Sequence, residues 1–139
     1  MAEFTRFEEV EVWQAARELT RRVYEVSNAG AFARDFGLRD QMRRAAVSVM
    51  SNIAEGLESR TQALFVDYLG RAKGSCGDVR AQLYVALDAG YFDQAVFEEL
   101  RSLATSASRQ LSGLMAYLES HPTARRLRED AVEYVITEY

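Results

Sequence analysis

The chain of 139 residues is the size of one domain, and 48% hydrophobic residues are enough to fill a core. Seventeen Lys+Arg against 21 Asp+Glu give a formal net charge of −4, which argues against a broadly basic, DNA-coating surface. A single cysteine, Cys76, excludes an internal disulfide framework and a cysteine-built zinc site, and a single histidine, His121, excludes a histidine-cluster metal site.

The first twelve residues, MAEFTRFEEVEV, are acidic and lack the apolar run of a secretion signal. No apolar stretch of about 18 residues follows, so no membrane span is expected, and the expected location is the cytoplasm. The first helical pattern runs from Val10 to Val26. Val12, Trp13, Ala16, Leu19, Val23 and Val26 recur at steps of three and four, with charged residues opposite. Asn28 and Gly30 end it. A loop through Ala31–Leu38 carries Phe32 and Phe36, expected to plug the end of a bundle.

The second pattern runs from Arg39 to Glu55. Met42, Ala45, Ala46, Val49 and Ile53 form a narrow stripe whose small residues admit a close neighbour, and Gly56 reads as the stop. The third starts with a capping box of Ser59 and Gln62. Phe65, Leu69, Ala72, Cys76, Val79, Leu83, Ala86 and Gly90 then form a heptad seam. Gly70, Gly74 and Gly77 lie inside it. Each costs a helix about 1 kcal/mol relative to Ala, so close approach of another backbone is expected there. The fourth is N-capped by Asp93, with Phe92 and Phe97 spaced as a hydrophobic staple. It continues through Leu100, Ala104, Ala107, Leu111, Leu114 and Leu118 and ends before His121-Pro122. Residues 123–139 carry a thin apolar stripe, Leu127, Ala131 and Tyr134 or Val135, compatible with a short fifth helix.

Four amphipathic helices with short connections predict an all-α, antiparallel up-down-up-down four-helix bundle over residues 1–120, with a C-terminal extension, residues 121–139. No βαβ alternation, internal repeat or Gly-rich phosphate loop is present. No catalytic residue, cofactor or metal site is expected. Cys76 lies on the seam and reads as a small core residue, His121 reads as a cap or a surface residue, and there are no Glu-x-x-His pairs of the di-iron type.

One constellation stands above this background. Gln41, Arg44, Ser48, Asn52 and Glu55 share one stripe of the second helix, and Arg71, Ser75, Asp78 and Gln82 share one stripe of the third. Such flanking positions are half-buried, so their polar groups need partners. A structural or subunit-contact network is favoured over a small-molecule site, because no nucleophile–base pair accompanies it. The alternative is a small-molecule-binding or enzymatic bundle centred on Arg44, Asn52, Glu55 and Asp78. Arg39, Arg43 and Arg44 form the densest basic cluster and are the candidate nucleic-acid contacts, partly offset by Asp35 and Asp40. Trp13, Tyr24, Tyr68 and Tyr84 are expected to expose apolar surface and so to favour self-association.

The run F-G-L-R-D-Q-M-R-R-A-A-V-S-V-M-S-N-I-A-E-G, residues 36–56, resembles the bacterial four-helix-bundle family named for the protein encoded in intervening sequences of 23S rRNA genes. The resemblance extends to F-E-E-V-E-V-W-Q-A-A at Phe7–Ala16 and continues through Phe65, Leu69, Ala72, Gly74-Ser75, Gln82-Leu83 and Gly90-Tyr91, covering residues 7–118. The chain departs from the family pattern in having Met50 where Pro is usual and Asp78 where Glu is frequent. The resemblance implies a four-helix bundle, relatives that form pentameric rings, and no enzymatic activity. One related group, the accessory protein of diversity-generating retroelements, implies a partner of the reverse-transcriptase type together with RNA or DNA. The expected assembly is therefore a homo-oligomer, with a pentamer favoured and no membrane attachment.

Overall fold

The computed structural model describes residues 10–121. The order is α1 (Glu11–Ser27), a short 3-10 helix (Gly30–Arg34), α2 (Phe36–Glu58), α3 (Gln62–Asp88) and α4 (Gln94–Glu119). Consecutive helices pack side by side and α1 closes the ring against α4. The chain is thus an all-α four-helix bundle, and the described residues contain no strand. The antiparallel sense is visible in the side chains. Ser75 of α3 meets Ser48 of α2, while Phe65 and Tyr68, earlier in α3, lie against Gly56, later in α2. Residues 122–139 of the extension, with the apolar stripe Leu127, Ala131, Tyr134 and Val135, lie outside the described residues.

Every seam position from Phe65 to Ala86 in α3 is buried, as are Phe97, Leu100, Ala104, Ala107, Leu111, Leu114 and Leu118 in α4. The core divides lengthwise. One half gathers Trp13, Ile53, Phe65, Leu69, Cys76 and Leu111. The other gathers Leu19, Phe32, Met42, Leu83, Phe97 and Leu100. Thr20, one of few buried polar residues, donates to the carbonyls of Ala16 (2.9 Å) and Ala46 (3.1 Å) and so pins α1 to α2.

Several helix ends differ from the sequence expectation. Helix α2 starts at Phe36, three residues early, because Asp35 accepts from the Leu38 amide at 3.2 Å and caps it. It runs on through Gly56 to Glu58. Gly56 is a packing residue and not a stop: a Cβ there would meet Phe65 Cδ1 at 3.1 Å and Tyr68 Cβ at 3.2 Å. The cap of α3 is Thr61, which accepts from the Leu64 amide at 3.1 Å. Ser59 closes α2, its hydroxyl donating to the Gly56 carbonyl at 2.6 Å, and Gln62 donates to the Leu118 carbonyl of α4. The expected Ser59–Gln62 capping box is therefore not formed, because both side chains satisfy other helix ends. Asp93 caps α4 as expected, accepting from Val96 at 2.9 Å. Gly90 is not a seam residue. It ends α3 at φ +78°, and the amides of Gly90 and Tyr91 donate to Leu87 and Ala86, closing a Schellman turn.

Two further expectations fail on burial. Phe32 is buried at the bundle end, but Phe36 is 61% exposed, with the Arg39 guanidinium over its ring. Among the described residues no other backbone approaches the glycines of α3. A Cβ at Gly74 or Gly77 would meet nothing within 4 Å, and one at Gly70 only the Met115 methyl at 3.7 Å. Gly70 thus faces α4.

Candidate functional site

The polar stripes of α2 and α3 touch at one interhelical contact. At its centre Ser75 donates to Ser48 Oγ at 3.0 Å, and Asn52 Nδ2 donates to Ser48 Oγ at 3.0 Å and to the Ser48 carbonyl at 2.9 Å. The structure thus joins Ser48, Asn52 and Ser75 into one half-buried network. The helical spacing dictates it: Ser48 and Asn52 are one turn apart, and the antiparallel register sets Ser75 opposite.

The other members of the stripes are not drawn in. Gln41, Arg44, Glu55 and Asp78 are exposed, with no hydrogen bond or ion pair among the described residues. Arg71 is exposed as well. It pairs with Asp67 one turn earlier at 3.0 Å and covers the Tyr68 ring at 5.1 Å. Gln82 is half-buried, and its Oε1 is shielded from solvent without a hydrogen-bond partner. A buried amide oxygen left unpaired is costly.

The three arginines of the basic cluster have three separate fates. Arg39 turns back on the chain, donating from Nε to Asp40 at 2.9 Å and from a terminal nitrogen to the Ala33 carbonyl at 3.0 Å. Arg43 faces α1, where Nε donates to Ser27 Oγ at 2.9 Å and the guanidinium lies 4.5 Å from the Tyr24 ring centre. Arg44 has no partner among the described residues. Arg43 and Arg44 border an open groove of about 620 Å³ on the outer face of α2, lined also by Tyr24, Asp40, Val47, Ser48 and Ser51. Sequence spacing found the arginines but missed Tyr24 and Val47 as their neighbours. Tyr24 stands on a different helix, and only the α1–α2 packing brings it to the groove.

Cys76 is buried in the core, and burial pushes its thiol pKa up to about 11. His121 is exposed beyond the end of α4, its ring stacked on Tyr117. The two are not neighbours, so they form no nucleophile–base pair. Among the described residues no group of three or more His, Cys, Asp or Glu side chains is placed to hold a metal ion. No described helix is long and apolar enough to cross a membrane. Of the four aromatics expected at the surface, Tyr24 and Tyr84 are exposed. Trp13 is buried and Tyr68 half-buried, because α1 and α3 turn those positions inward.

A bundle of four long antiparallel helices, with a polar α2–α3 contact and no assembled catalytic group among the described residues, belongs to the helical-bundle class. Residues 8–113 match the family model described as 23S rRNA-intervening sequence protein, and the chain belongs to that family. A crystal structure from Bacteroides thetaiotaomicron VPI-5482, described as a protein with unknown function from the S23 ribosomal protein family, has the same fold. Its TM-score is 0.69 at 19% sequence identity, with 75% of this chain and 97% of that chain covered. No curated protein matches the chain.

Proposed function

We propose that the chain is a non-enzymatic accessory protein of the cytoplasm that assembles with copies of itself, as a pentamer, and acts with RNA, DNA or a nucleic-acid-processing protein. The observation that carries the self-association is the outer surface of α3. Leu64 and Val85 are exposed there, on the helix whose Ser75 joins Ser48 of α2 and whose Gln82 oxygen is buried without a hydrogen-bond partner. Large exposed apolar side chains suit a face that a second subunit covers. The number five rests on the ring-forming relatives that the sequence resembles. The nucleic-acid arm rests on Arg43 and Arg44, whose charges have no carboxylate partner among the described residues.

Light scattering at micromolar concentration tests the assembly. A mass several times the 15.7 kDa of one chain is expected, falling toward one chain in Leu64→Glu or Val85→Glu. A wild-type protein that stays at the mass of one chain defeats the reading.

A further inference from the structure

The groove on the outer face of α2 combines three kinds of group. The first is cationic. Arg43 is held by Ser27 and by the Tyr24 ring, which leaves its terminal nitrogens without a protein partner among the described residues, and Arg44 beside it makes no bond to any of them. The second is apolar and planar. Tyr24 is 43% exposed and Val47 39% exposed, a combination that leaves an aromatic wall and an aliphatic floor open to solvent. The third accepts and donates hydrogen bonds. One Asp40 oxygen is taken by Arg39 Nε at 2.9 Å, the other has no partner, and Ser51 adds a hydroxyl.

Arg39 offsets the charge of Asp40, so the groove keeps the unbalanced charge of Arg43 and Arg44 although the chain as a whole is acidic. Guanidinium groups suit phosphate oxygens, to which they donate in pairs. An exposed tyrosine and a guanidinium plane both stack on bases. A free carboxylate oxygen accepts from an exocyclic amino group. The volume of about 620 Å³ lies within the range of small-ligand sites and has room for one such unit.

We infer that this groove binds a nucleotide unit, with the phosphate on Arg43 and Arg44 and the base against Tyr24 and Val47. The unit is either a free nucleotide or one residue of a single strand. This deepens the nucleic-acid arm of the function proposed above, and rests on that arm only where the unit belongs to a strand. An acidic peptide shares the cationic requirement but has no use for the aromatic wall beside a carboxylate.

The test uses the full chain at low salt. Anisotropy is measured with fluorescein-labelled single-stranded RNA and DNA decamers, and amide NMR shifts are measured with AMP and with inorganic phosphate. Tyr24→Ala and Arg44→Ala are compared with Arg109→Ala, which removes the same charge from an exposed position on α4. Melting temperature and mass are checked for each variant. The expected result is a loss of about tenfold in affinity for Tyr24→Ala and for Arg44→Ala, and under twofold for Arg109→Ala. AMP should shift amides around Tyr24, Val47 and Ser51 more than phosphate does. Shifts with AMP identify a site for the free nucleotide, and decamer binding without them identifies a unit within a strand. Decamers that bind all three variants equally, with no AMP shifts at the groove, overturn the site and leave the nucleic-acid arm standing. No binding of decamer or AMP at low salt overturns both, while the assembly still stands or falls on its mass.

Discussion

The Tyr91 hydroxyl donates to Asp35 Oδ2 at 2.7 Å, joining the turn after α3 to the residue that caps α2. The Tyr91 ring also stacks on the buried Phe32 at 5.0 Å between centres, so a polar bond and an aromatic contact close the same end of the bundle. The Tyr91 hydroxyl, helped by the Leu38 amide, holds the Asp35 carboxyl below its ordinary pKa.

A group with a lowered folded pKa contributes its stability above the unfolded Asp value of about 3.9 and loses it as the pH falls toward the folded value. Tyr91→Phe keeps the ring and removes the donor. The variant should melt below the wild type at neutral pH, and the gap should narrow between about pH 5 and pH 3. Melting curves across that range check it. A gap that does not change with pH would show that the hydroxyl does not act through the carboxylate.

Gly56 and Gly74 should respond oppositely to alanine. At Gly56 the new methyl meets Phe65 and Tyr68 at 3.1 and 3.2 Å, and overpacking of this kind costs about 1–3 kcal/mol. At Gly74 it meets nothing within 4 Å, and the helix propensity gained is up to about 1 kcal/mol. Denaturant titration separates the two. If Gly74→Ala raises stability but lowers the mass in solution, a neighbouring subunit covers that face of α3.

The α2–α3 network should be structural at its centre only. Asn52→Ala removes two donated hydrogen bonds to Ser48 and should cost about 1 kcal/mol. Arg44→Ala removes no bond and should leave stability within about 0.5 kcal/mol. Equal losses in both variants would mean that Arg44 has a partner in the assembled protein.

Cys76 should be inert in the folded protein. It is buried and its pKa lies near 11, so thiolate is scarce at pH 8. A thiol reagent at that pH should label it within minutes in denaturant and far more slowly in buffer. Rapid native labelling would mean that α3 opens locally on that timescale.

The bundle was legible in the sequence because burial follows the 3.6-residue period. The stripe Met42, Ala45, Ala46, Val49, Ile53 and the seam from Phe65 to Ala86 are buried throughout, as spacing alone requires. The local signals of Asp93 as a cap and of Cys76 as a core residue hold for the same reason, since each depends on near neighbours in the chain. The tertiary structure decided whatever depends on a partner distant in sequence. Gly56 has the composition of a stop but sits where Phe65 and Tyr68 leave no room for a Cβ. Gln62 has the spacing of a capping box but reaches Leu118 across 56 residues. The polar stripes were visible as two helical rows. Only the antiparallel register, which sets Ser75 against Ser48, determined that three of their nine residues join and that Arg44 is left to face solvent beside Tyr24.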